Sequence, residues 1–104
     1  MATNPSTIEF LVDQIRGAGD VGYKKMFGEY MIYCNAKPVF LVCGDTLFIK
    51  PLPENAEFLK DKPMGPPYPS AKPHYIIENV DDREFMRALA ALMERITPLP
   101  KKKR

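Results

Sequence analysis

One histidine, His74, and two cysteines, Cys34 and Cys43, are all that this 104-residue chain offers of the most versatile side chains. That scarcity narrows the chemistry at once. A zinc site needs three or four ligands, and one histidine with two cysteines in apolar runs does not readily supply them. Nucleophile-elbow, P-loop and dinucleotide fingerprints are missing: Gly17-Ala18-Gly19 lacks the third glycine and follows no strand. No apolar run approaches the ~20 residues needed to cross a bilayer. Met1-Ala2-Thr3-Asn4-Pro5 has neither a basic nor an apolar stretch, so no secretory signal is expected and the cytoplasm is the expected compartment. Two cysteines in that compartment are not a disulfide framework. Catalysis would rest on His74 or a cysteine alone, so the expectation is a protein that is not an enzyme and uses no cofactor or metal.

Strong charge of one sign is lacking too. The formal net charge is +2, from 15 basic and 13 acidic residues. Four of the basic residues form the tail Lys101-Lys102-Lys103-Arg104, and without them the acidic residues are in excess. The body therefore lacks the basic footprint of a nucleic-acid binder. The tail can hold phosphates, although a solvated end is the more ordinary reading. Asp81-Asp82 stands where a helix cap belongs, which outweighs acid–base work for the pair.

What the chain does have is a strand-rich meander over residues 23–51. Runs rich in β-branched and aromatic residues are separated by Gly28-Glu29, Asn35-Ala36-Lys37-Pro38 and Gly44-Asp45. Gly44-Asp45 suits a two-residue hairpin turn, since both residues tolerate positive φ. Residues 39–43 are all apolar, as a central strand contacted on both faces would be. A turn centred on Ala36 and Lys37 would set Cys34 opposite Val39, with Cys43 four residues further on. At about 3.3 Å per residue that separation is roughly 13 Å, too far for a disulfide.

Helices flank the meander. Ile8, Leu11, Val12 and Ile15 recur at helical period behind Asn4-Pro5 or Ser6, either of which could cap, and Gly17 and Gly19 end the run. Phe85, Leu89, Leu92, Met93 and Ile96 form a second stripe behind Asp81 or Asp82, stopped by Thr97-Pro98. Residues 54–60 suggest a short helix and Tyr75-Ile76-Ile77 a further strand. Between them, residues 62–73 are dense in proline and read as extended chain, with Met64 and Tyr68 as apolar anchors.

The expected architecture is two-layer α+β, in the order α-β-β-β-(β)-α-β-α. Helices at about 6–17 and 82–96 lie on one face of an antiparallel meander. One domain spans 1–97 and a basic tail follows at 98–104. Two helices cover one sheet face, yet Met31, Tyr33, Phe40, Val42 and Phe48 imply apolar groups on the other. The expected partner surface comprises Lys25, Met26, Phe27, Tyr30, Tyr68 and His74, for a protein partner or a second copy of the chain. The alternative is nucleic acid held by Lys24, Lys25, Lys101, Lys102, Lys103 and Arg104 beside stacking aromatics at Tyr23, Phe27 and Tyr30. The bland reading puts Phe27 and Tyr30 inside the sheet face and leaves the lysines solvated.

Lys25-Met26-Phe27-Gly28-Glu29-Tyr30, Ile32-Tyr33-Cys34-Asn35-Ala36-Lys37 and Leu47-Phe48-Ile49-Lys50 together resemble the N-terminal domain of TfoX/Sxy-type competence regulators. Gly65-Pro66-Pro67-Tyr68-Pro69 with Ala71-Lys72-Pro73-His74-Tyr75 is similar to a second segment of many members. The likeness runs from about Thr7 to Ile96, with Lys24 where many members carry Arg. It implies a two-layer α/β fold and a cytoplasmic bacterial protein. For the longer members it implies action through other transcription factors rather than through catalysis. Longer members add a C-terminal domain, so a stand-alone first domain is expected here.

Overall fold

The computed structural model describes residues 3–26 and 29–98, with the side chain of Met26 left aside. Helix α1 (Pro5–Ile15) leads into β1 (Val21–Met26), β2 (Glu29–Cys34), β3 (Lys37–Cys43) and β4 (Thr46–Ile49). A 3-10 turn at Pro53–Asn55, the short β5 (Met64–Gly65), β6 (His74–Ile77) and helix α2 (Arg83–Ile96) follow. The strands form one open sheet in the order β1-β2-β3-β4-β6-β5. Every pair is antiparallel, as short connections dictate. This is the expected two-layer α+β fold. Both helices lie on one face, because their buried side chains join a single core with one side of the sheet.

In α1 that buried stripe is Ile8, Leu11, Val12 and Ile15, as the periodicity predicts. Asn4 occupies the N-cap position, but its side chain does not cap. The carboxylate of Asp45, in the β3–β4 turn, does so instead. It accepts from the Asn4 backbone N–H at 2.7 Å and from the Thr7 hydroxyl at 2.9 Å. Nearby, Thr3 is buried and its hydroxyl accepts from the Gly44 N–H at 3.0 Å. In α2, Asp82 is the cap and accepts from the Phe85 N–H at 3.1 Å. The buried stripe of α2 is Met86, Leu89, Ala90 and Met93, with Phe85 and Ile96 packed at its margins. It is rotated from the expected stripe, with Met86 and Ala90 buried and Leu92 only half-buried.

Both hairpin turns carry two residues at positive φ: Asn35 (54°) and Ala36 (69°), then Gly44 (55°) and Asp45 (63°). That pair of conformations matches the twist of the flanking strands. The first turn is one residue earlier than expected, so Cys34 pairs with Lys37 rather than Val39. The register then shifts: Tyr33 pairs with Pro38 and Ile32 with Phe40, leaving Val39 as the extra residue of a β-bulge. Val39 and Phe40 consequently both reach the core, and Val42 follows Phe40 to that side. The expectation that Phe40 and Val42 stand on the other face is therefore corrected. Leu41 stands there instead.

Two further expectations change. Residues 54–60 do not form a regular helix; the 3-10 turn is followed by successive turns through residue 60. Asn55 explains the interruption. Wholly buried, it accepts from the Leu52 N–H at 3.0 Å and donates to the Lys50 carbonyl at 3.0 Å, holding the segment to the end of β4. The proline-rich loop, in turn, is not anchored by its large apolar residues. Met64 is 48% exposed and Tyr68 46% exposed.

Candidate functional site

Pairing registers place side chains on the two faces unambiguously, since directly opposed residues share a face. Tyr30, Ile32, Phe40, Val42, Leu47, Ile49, Tyr75 and Ile77 point to the helices. On the opposite face a row crosses five strands: Lys24 opposes Met31, Met31 opposes Leu41, Leu41 opposes Phe48, and Phe48 opposes Ile76. None of these five belongs to the helix-side core. Met31, Leu41 and Ile76 are half-buried, and Phe48 is buried among its neighbours at 7% exposure. One flanking row contains Cys43 opposite Thr46, the other His74 opposite Gly65. An apolar centre bordered by polar residues is the layout of an association surface.

The expected site residues do not converge on that surface. Tyr30 is a core residue at 7% exposure, on the helix side. Its ring lies 5.8 Å from that of Tyr23, tilted by 58°. Lys25 opposes Tyr30 on β1, at the sheet edge, and is exposed. His74 is on β6 and faces the open side, four strand positions from β1, about 19 Å at ~4.8 Å per spacing. Its Nδ1 lies 2.9 Å from the Lys72 carbonyl. Tyr68 is exposed in the loop before β6. Phe27, the Met26 side chain and Lys101 to Arg104 lie outside what the structure describes. Leu41 and Ile76 were missed. Their signal was the alternation within each strand, hidden in β3 by the bulge.

The thiols are poor nucleophiles. Cys34 is buried in the core, and burial raises its pKa, with Glu94 and Asp20 adding to the effect against Lys37. Burial likewise pushes Cys43 up to about 11, and the Glu29 carboxylate reinforces it. Both are therefore thiols, not thiolates, at neutral pH. They are also unpaired with each other, on opposite sides of the sheet. Among the described residues, no group of three His, Cys, Asp or Glu side chains is placed to hold a metal ion. No described helix is long and apolar enough to cross a membrane.

The fold is a small two-layer α+β domain with one sheet face covered by the described helices and one not. Residues 13–97 match the TfoX N-terminal domain, and the chain belongs to that family, which is linked to competence regulation. It is 33% identical over 107 residues to a protein of Spirochaeta aurantia described as an uncharacterized 12.7 kDa protein in the trpE 5′ region. That alignment covers 98% of this chain and 91% of the relative. No solved structure matches the chain.

Proposed function

We propose that this chain is a non-enzymatic protein-interaction module of the bacterial cytoplasm, acting in the transcriptional regulation of competence through a protein partner or a second copy of itself. The observation that carries the reading is the apolar row Met31, Leu41, Phe48 and Ile76 on the face without helices. Buried apolar area at such a centre drives association, while the polar rim sets orientation. The protonated thiols supply no competing catalytic reading. The test replaces Leu41→Asp and Ile76→Asp separately, then measures sedimentation mass, partner capture and melting temperature. Lost association with a nearly unchanged melt is expected. Unchanged association in both variants would refute the surface.

A second reading has one observation in its favour. Tyr23 is 54% exposed on the edge strand, the exposed Lys24 and Lys25 follow it, Lys25 on the same face, and neither lysine has an ion-pair partner among the described residues. That combination suits stacking on a base beside a phosphate. Its test is the salt dependence of single-stranded DNA binding. Lys24→Gln with Lys25→Gln should flatten the slope by about two contacts' worth, and an unchanged slope would dismiss it.

A further inference from the structure

The bulge has a second effect besides turning Phe40 inward. Pairing of β3 with β4 runs from Cys43↔Thr46 to Leu41↔Phe48 and goes no further. Beyond that point Pro38 has no N–H to offer, and Val39 is the bulged residue. The sheet therefore parts between the beginning of β3 and the end of β4. A cleft of about 410 Å³ lies there. Leu41 and Phe48 line it from the open face, while Phe40, Met93 and Ile96 line it from the core side and the end of α2. That volume falls within the ~300–1,000 Å³ of small-molecule sites.

The charged groups of this cleft are Lys50 and Glu54, with His74 beside them. The β4–β6 ladder ends at Ile49 opposite Tyr75, and just past that end Lys50 and His74 both line the cleft. Because the His74 Nδ1 faces the Lys72 carbonyl, Nε2 donates to a carboxylate only from the protonated ring, which leaves Lys50 as the principal carboxylate donor of the cleft. Lys50 has no ion-pair partner among the described residues. Glu54 offsets part of the positive charge, which favours one negative charge over two.

We propose that this cleft binds a medium-chain fatty acid. Lys50 holds its carboxylate, with His74 at the cleft mouth, and its tail runs inward past Phe40 toward Met93. A slit made by one missing strand pairing suits an unbranched chain, and the apolar walls match it. The cleft shares Met31, Leu41 and Phe48 with the partner surface, and its occupancy is read directly, so a failure of ligand binding and a failure of association are distinguished.

The experiment titrates the full chain with decanoate and, separately, with decanol. Calorimetry gives affinity and stoichiometry, and amide NMR gives location. Saturable one-to-one binding below the micellar range is expected, with shifts centred on Leu41, Phe48 and Met93. Decanoate should bind about tenfold more tightly than decanol, the scale of one hydrogen bond to a charged group. Lys50→Met keeps the apolar stem and should remove that tenfold preference while leaving decanol binding unchanged. Ile96→Trp should fill the cleft and weaken both ligands; its melting temperature shows whether the fold persists. Absence of saturable shifts at millimolar decanoate would overturn the proposal. So would equal binding of decanoate and decanol, or an unchanged preference in Lys50→Met.

Discussion

The two faces of the sheet are built from the same kinds of residue and have different neighbours. Phe40 and Leu41 are adjacent in β3, yet Phe40 is 1% exposed beneath the helices and Leu41 is half-buried on the other side. The helix-side row closes a core, whereas no described helix covers the opposite row. Hydrophobicity alone does not separate them. What separates them is which side of a pleat faces the helices, and a single bulged residue decides that for β3.

The comparison is broken most strongly at Phe40. Phe40→Ala should destabilise the fold by about 3–5 kcal/mol, the range for a buried phenylalanine. Leu41→Ala, one residue along, should cost about 1 kcal/mol in the isolated chain. Denaturant titration of both variants measures the contrast, and equal losses would mean that the open face is packed like the core. Next comes Asn55, whose amide joins the end of β4 to the following turn. Asn55→Ala strands the Leu52 N–H and the Lys50 carbonyl and should cost about 2 kcal/mol by the same titration.

A smaller effect belongs to Asp45, whose carboxylate serves both the Asn4 N–H and the Thr7 hydroxyl. Asp45→Ala should cost about 1 kcal/mol, as loss of a helix cap does. Another difference is a pH dependence on the open face. The Cys43 pKa is raised from 9.0 to about 11, so the folded state holds this proton more tightly than the unfolded chain. Stability from this group is thus complete below pH 9 and declines as pH rises through 9 toward 11. Cys43→Ala should flatten that decline in urea midpoints measured across the interval, and an unchanged slope would assign it to other groups.

Much of the fold was legible because local and global signals agree. The stripe of Ile8, Leu11, Val12 and Ile15 predicts α1, and Gly44-Asp45 predicts its turn, from chemistry carried within a few residues. The failures are nonlocal. Ala36 at φ 69° is a conformation that alanine adopts at a cost of about 1–2 kcal/mol, so its own chemistry did not mark the turn centre. Pro38 looked like part of that turn and is instead the strand residue beside the bulge. Asn55 reads as an ordinary polar residue until its partners 3 and 5 residues away, and Met93, close around it. For the candidate site, Met31 and Phe48 were read on the correct side. Leu41 was displaced by the bulge, and Tyr30 was offered to a partner although the core claims it.

The borrowed cap on α1 also bears on the order in which the chain assembles. Asp45 is 41 residues from the backbone N–H that it holds, so the beginning of the helix cannot be finished by its own neighbourhood. The β3–β4 hairpin closes over a two-residue turn, a microsecond event, whereas joining it to the N-terminus requires a long loop to close. The first turn of α1 therefore belongs to the last steps of folding. Loss of the Asp45 carboxylate should then accelerate unfolding and leave the folding rate almost untouched, as the two arms of a denaturant chevron would read.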